Sequence, residues 1–319
     1  MRMGIAPAGS RNAGVAISMA EYADQLGFSE LWLSEDYLER GAFAVAGGVA
    51  ARTTQITIGL GVINPWTRHV ALTAMECAAL DEISSGRLIV GLGASNAGWM
   101  HGKLGIAFDK PIGHLIEYTE ALRALLDGQE LNRTVGGLHI QAGLSFQPRK
   151  HIPVYLGVKG PVALRRGTTI ADGLMLSVLS SAPYISWVGA EYEPKRMTAY
   201  TFFSCDNDGA AARERIRSRT ARFLGMHGAT PITALAGIDE KLALQLRERM
   251  REGADGADLV TDEVMRTVTV SGTPSDCADA IRRFDQAGLD TLVMMDDGIS
   301  DPHQFVNAVA SVARAAGSF

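Results

Sequence analysis

The segment Gly59-Leu-Gly-Val-Ile-Asn-Pro-Trp-Thr-Arg-His69, with Leu80-Asp-Glu-Ile-Ser-Ser-Gly-Arg-Leu-Ile-Val-Gly-Leu-Gly93 behind it, constrains this chain more than any other. An apolar strand runs into a polar turn and a long apolar helix. Ser84-Ser-Gly-Arg87 stops that helix, and a second apolar strand begins. This is a complete βαβ unit, the building block of a parallel sheet. Gly61-Val62-Ile63-Asn64-Pro65 stands at the C-terminal tip of its first strand, where parallel α/β proteins bind ligands.

The same alternation fills most of the chain. Short apolar runs predict strands at Met3 to Ala6, Glu30 to Ser34, Gln55 to Gly61, Arg87 to Gly91, Pro153 to Gly157, Gly173 to Ser177, Met197 to Cys205 and Thr291 to Met295. Helical periodicity predicts helices over Val15 to Leu26, Ala42 to Arg52, Val70 to Ile83, Ile112 to Leu126, Val162 to Thr169 and Ala210 to Leu224. Strands alternating with helices in this number predict an α/β fold, a (β/α)8 TIM barrel, with an open sheet in two domains as the alternative, although no Pro/Gly/Ser-rich linker divides the chain. The 319 residues suit one such domain spanning 1–319, since a barrel needs about 250 before insertions.

Two stretches interrupt the pattern. Residues 132–150 read as an inserted loop or hairpin, and residues 229–263 as inserted helical material. Both are expected on the C-terminal face, where loops close over substrate. Peripheral decoration or a dimer contact is an equal reading of the second.

Composition removes several function classes. A net charge of −5 and a pI near 5.8 argue against a nucleic-acid partner. Cys77, Cys205 and Cys277 are widely spaced with no Cys-x-x-Cys, so neither a disulfide framework nor a zinc knuckle is expected. No apolar run has membrane-spanning length, and Met1-Arg-Met-Gly-Ile-Ala-Pro7 carries no secretory signal. A cytoplasmic protein without a membrane partner or metal site is expected. The Arg213-to-Arg219 run reads as an exposed, salt-bridged helix face.

Two glycine-bearing turns follow predicted strands. Gly91-Leu-Gly-Ala-Ser-Asn96 lacks the third glycine of a dinucleotide fingerprint, and no helix is expected directly after it. Gly157-Val158-Lys159-Gly160-Pro161 has proline suited to a helix's first turn, whose free N–H groups favour a phosphate or carboxylate. From that segment alone, an ordinary turn beside a solvated basic face remains the simpler reading.

Taken together, the segments resemble the luciferase-like flavin and deazaflavin superfamily, most closely its methylene-tetrahydromethanopterin reductase-like branch. The matching residues are Ser34-Glu-Asp-Tyr37, Gly61 to Pro65 with Arg68, and Leu72-Thr-Ala through Arg87. Gly91-Leu-Gly93, Ile152 to Pro161, Ala171-Asp-Gly173 and Ser271-Gly-Thr-Pro274 complete the set. The resemblance implies coenzyme F420 as cofactor, a small organic substrate with an unsaturated or imine-like bond, and a homodimer. It also implies a non-prolyl cis peptide at Gly61–Val62 behind the cofactor ring, with Ile63 and Asn64 touching the ring. Gly157, Val158, Lys159, Gly160 and Pro161 would hold the phosphate-bearing tail, and Gly93 and Asn96 would border the site. An FMN-dependent monooxygenase and a catalytically silent cofactor-binding protein are the alternatives.

The expected proton donor is less directly marked. Where many relatives carry an acid on strand one or after strand four, this chain has Ala6 and Asn96; where they carry His after strand two, it has Asp36. Glu35 and Asp36 are the catalytic candidates, because a buried carboxyl beside another carboxylate can be raised into a proton donor. A pair that orients the loop or cofactor is the competing reading. His69 and His101 are secondary candidates, with a helix cap or supporting role the simpler reading of His69, and Trp66, Trp99 and Met100 read as pocket wall or packing.

Overall fold

The computed structural model describes residues 1–36 and 38–319, so Tyr37 of the Ser34–Tyr37 motif lies outside the described residues. The chain forms two compact units: Gly9–Met175, and Met1–Ala8 together with Leu176–Phe319. Strand β1 (Arg2–Ala6) belongs to the second of these.

The Gly9–Met175 unit runs α1 (Ala13–Leu26), β2 (Glu30–Leu33), α2 (Ala42–Arg52), β3 (Thr57–Ile63), α3 (Val70–Ser84), β4 (Leu88–Gly93), α4 (Ala97–Met100) and α5 (Pro111–Leu126). A hairpin of β5 (Leu131–Val135) and β6 (Leu138–Ala142) follows, then β7 (Val154–Gly157), α6 (Pro161–Ile170) and β8 (Gly173–Leu176). Its sheet, β2-β3-β4-β7-β8, is parallel throughout. The strands are almost wholly buried, which accounts for their continuous apolar runs. Glycine admits bulk from neighbouring strands: a Cβ on Gly59 would lie 2.2 Å from the buried Trp32 ring.

Polar side chains fix where the strands begin. Asp24, at the end of α1, accepts the N–H groups of Thr54, Gln55 and Ile56 and so sets the entry into β3. Burial raises the Asp24 pKa, but these bonds outweigh it and hold the carboxyl below its usual range. The Ser-Ser-Gly-Arg stop works the same way. Ser85 and Gly86 turn the chain through positive φ, and Arg87 then donates to the carbonyls of Ala50, Thr53 and Ile56.

Residues 132–150 do contain a hairpin, closed by Gly136 and Gly137, both at positive φ. Its expected position on the C-terminal face is corrected. It leaves α5 and returns into β7, so it lies at the strands' N-terminal ends. There Asp81, in the last turn of α3, accepts the N–H groups of Arg149 and Lys150. The insertion at the C-terminal ends in this unit is instead residues 94–110, including α4, where no helix was expected.

The other unit continues with α7 (Ala182–Tyr192), β9 (Met197–Cys205), α8 (Gly209–His227), α9 (Pro231–Ala234), α10 (Glu240–Arg251) and α11 (Asp262–Val268). It ends with β10 (Val270–Gly272), α12 (Pro274–Gln286), β11 (Thr291–Met295) and α13 (Pro302–Ala316). Its strands, β10-β9-β11-β1, are also parallel. The inserted helices build their own core from residues such as Leu224, Leu246 and Met265, packed on Phe202 of β9 and Met295 at the tip of β11. The Arg213-to-Arg219 face is not uniformly exposed. Arg213 is 5% exposed and pairs with Asp262, which also holds Arg217.

Candidate active site

The candidate site is built on the strand tips of the Gly9–Met175 unit. The Gly61–Val62 peptide is cis, and the Ser34 hydroxyl donates to the Gly61 carbonyl at 3.2 Å. Beside it the β3–β4 register slips between Gly61 and Ile63. Val62 then lies across the tips of the two neighbouring strands. A Cβ on Gly93 would come within 2.7 Å of Val62 Cγ2, and one on Gly157 within 2.8 Å of Cγ1. Gly93 and Gly157 are register partners, so two facing glycines make the bed on which Val62 rests.

The residues after Val62 turn inward. Ile63 is fully buried and Asn64 is 2% exposed. The Asn64 carboxamide accepts the Trp66 N–H at 2.8 Å and donates to Met100 sulfur at 3.1 Å. The Ile63 side chain therefore packs in the core and the Asn64 side chain folds the loop. Val62 is the partly exposed side chain at this tip.

The other strand tips carry Gly93, Asn96 and the Gly157–Pro161 turn. Asn96 is exposed and caps α4 by accepting the Trp99 N–H at 3.1 Å. Gly157 is half-buried, Val158 buried and Lys159 exposed. Gly160 is the N-cap of α6, Pro161 opens it, and no side chain caps that end. Such a terminus presents N–H groups and the positive end of the helix dipole.

The two carboxylates face different partners. Glu35 is half-buried and accepts from the Arg68 guanidinium at 2.6 Å, with further contacts at 3.1 and 3.3 Å. Arg68 also bonds Glu76 at 2.8 Å and lies 4.7 Å over the Phe43 ring. Hydrogen bonding to Glu35 outweighs burial and holds Arg68 above its ordinary range. Asp36 is exposed, with its carboxylate against Gly9, where a Cβ would meet Oδ2 at 2.9 Å. The expected buried pair of mutually perturbing acids is thus corrected: Glu35 is engaged by Arg68, and Asp36 stands in solvent. Both line a groove of ≈ 390 Å³ together with Arg40, Thr67, Arg68 and Leu104.

Neighbouring residues are structural. His69 caps α3, its Nδ1 accepting the Ala71 N–H at 3.3 Å. Trp66 packs on Phe108 and His114, Met100 is buried, and His101 is exposed. Among the described residues no three His, Cys, Asp or Glu side chains are grouped to hold a metal, and no helix is long and apolar enough to cross a membrane.

Two residues escaped the sequence reading. Arg68 was noted only as part of a motif, yet it organises Glu35 and Glu76. In the other unit, Asp296 follows β11 and is fully buried; its N–H donates to the Ala6 carbonyl and its Oδ2 accepts from the Ala8 N–H at 3.3 Å. Its signal was acidic residues directly after an apolar strand, the position from which barrel enzymes draw catalytic groups.

The chain is 29% identical over 289 residues to 5,10-methylenetetrahydromethanopterin reductase of Methanolobus tindarius, covering 86% of this chain and 87% of that protein. It is 27% identical over 290 residues to the enzyme of the same name from Archaeoglobus fulgidus, covering 85% and 86%. The solved coenzyme F420 dependent tetrahydromethanopterin reductase from Methanopyrus kandleri superposes with a TM-score of 0.83 at 24% identity, over 97% of each chain. The fold shared with it is the parallel (β/α)8 barrel. The model of the luciferase-like monooxygenase family matches residues 4–291, nearly the whole chain, and the protein belongs to that family.

Proposed function

We propose that this protein is a coenzyme F420-dependent oxidoreductase, acting as a reductase on a small organic substrate with an unsaturated or imine-like bond. The observation that carries the reading is the Val62 platform over Gly93 and Gly157, an apolar side chain laid on two glycines at adjacent strand tips. The uncapped N-terminus of α6, with Lys159 beside it, suits a phosphate-bearing tail. Together these residues fit a flat heterocycle with an anionic chain. The names of the reductases from Methanolobus, Archaeoglobus and Methanopyrus support the same chemistry.

When bound, the deazaflavin supplies the carbon that carries hydride, and the protein contributes orientation, exclusion of water and a proton. Gly61 and Val62 would support the ring, with Gly93 and Asn96 bordering it. Gly157, Val158, Lys159, Gly160 and Pro161 would hold the tail. Asp36, the acid facing the groove, is the proton donor of this proposal. Glu35, fixed by Arg68, positions the loop that carries Asp36.

The protein works as a cytoplasmic homodimer in this reading, with no nucleic-acid or membrane partner. Exposed Leu72, Met75 and Ile83 on α3 offer the apolar face such a dimer needs. Titration with F420 and with FMN, followed by absorbance, tests the cofactor assignment. Saturable F420 binding supports it; tight FMN binding without F420 affinity overturns it.

A further inference from the structure

Two of the three cysteines, distant in sequence, meet at the end of β9. Cys205 is the last residue of that strand and the register partner of Gly272 in β10. Cys277 lies in the opening turns of α12, just past β10. Its Sγ is 3.8 Å from the Ser204 carbonyl and 3.9 Å from the Gly272 carbonyl, so it lies against the backbone on both sides of Cys205. A thiol–thiol hydrogen bond joins the two side chains.

Their surroundings divide the roles. Cys277 is fully buried, whereas Cys205 is half-buried and open to a small reagent. The bond from Cys277 holds the Cys205 thiol below its ordinary range, while the same bond and burial push Cys277 up. Arg215 stands close by, between the Asp206 carboxylate and Ser204 Oγ. A partly exposed sulfur with a lowered pKa, backed by a second thiol, is the arrangement from which redox-reactive cysteines are made. Nothing in the oxidoreductase reading uses it.

We propose that Cys205 and Cys277 form a peroxide-sensitive dithiol, with Cys205 the sulfur that is oxidised first and Cys277 the one that resolves it. Cys205 sulfur attacks the O–O bond of hydrogen peroxide, keeps one oxygen as sulfenic acid and releases one water. Cys277 sulfur then attacks Cys205 sulfur; the S–O bond breaks and the oxygen leaves as a second water. Two thiols and one peroxide give one disulfide and two waters, so the dithiol loses the two electrons the peroxide gains.

The test is peroxide treatment of the folded protein, followed by alkylation under denaturing conditions and peptide mass mapping. The expected result is loss of the Cys205 and Cys277 thiols together, recovery of a Cys205–Cys277 linked peptide, and reversal by dithiothreitol. Cys77, fully buried in α3, should keep its thiol and serves as the internal control. In Cys277→Ser a dimedone adduct should accumulate on Cys205; in Cys205→Ser neither the adduct nor the linked peptide should form. Wild-type protein that retains both thiols, or whose Cys205 goes to sulfinic acid without a linked peptide, overturns the proposal.

Discussion

Arg68 closes on Glu35 with both its Nε and Nη2, the shortest contact being 2.6 Å, and holds Glu76 with Nη1 at 2.8 Å. One guanidinium thereby ties the loop after β2 to the loop after β3. Removing it leaves a half-buried carboxylate without its donor, so Arg68→Met should cost about 1–3 kcal/mol of stability. A double-mutant cycle with Glu35→Gln, measured by urea unfolding, should show coupling of about 1–2 kcal/mol. Additive effects would mean that the pair is incidental.

The bed of glycines under Val62 gives a second expectation. Gly157→Ala places a methyl 2.8 Å from Val62 Cγ1, which must then shift. F420 affinity should fall by roughly tenfold, about 1.4 kcal/mol, with a smaller loss of thermal stability. Val62→Ala in the same chain removes the opposing methyl, so the double variant should recover the melting temperature but not the affinity. A Gly157→Ala protein that binds cofactor normally removes Val62 from the proposed platform.

Much of this architecture was legible from residue patterns because apolar run length and helical period are local properties. Strands β1 to β4, β7 to β9 and β11 came from continuous apolar runs, and α2 from its helical periodicity. Strand β10 was not, since three residues carry no period. The face of each insertion depends on whether it follows a strand or a helix, and residues 132–150 were assigned without using that order. Burial of Arg213 was unreadable for a different reason: its partner Asp262 lies 49 residues away. The strand-tip glycines could be found, but not which way Glu35 and Asp36 point, because a loop's side-chain directions come from tertiary partners such as Arg68 and Gly9.

Asp36 lines the same groove as Glu35 and is the proton donor of the proposal above. Asp36→Ala should leave F420 affinity within about threefold of wild type, under 1 kcal/mol, while lowering turnover by about 10²–10⁴-fold. Stopped-flow oxidation of reduced cofactor with substrate would measure it. Unchanged turnover retires Asp36 as the donor.

Leu72 and Met75 stand one helical turn apart and exposed on α3, a face that a monomer gains nothing by displaying. Charge there should be tolerated by the fold and refused by a partner. Leu72→Glu with Met75→Glu is expected to convert a dimer to a monomer in sedimentation velocity, with a far-ultraviolet spectrum like that of wild type. A variant that still sediments as a dimer places the interface elsewhere.

Asp172, just before β8, supplies a pH-dependent part of stability. Burial raises its pKa, but the Val154 N–H at 3.0 Å, together with Arg123 and His151, outweighs burial and holds the carboxyl below its usual range. A carboxyl with a depressed folded pKa favours the folded state when ionised. Its contribution is therefore fully present above the unfolded value of about 3.9 and is lost as pH falls through the folded value. Asp172→Asn should accordingly be less stable than wild type near neutral pH, by about 1–3 kcal/mol. The gap should hold down to about pH 4 and narrow below it, as pH falls through the folded value and wild type loses the ionised form. Urea unfolding of both proteins across that range measures it, and a gap independent of pH would show that the lost interactions do not require the charge.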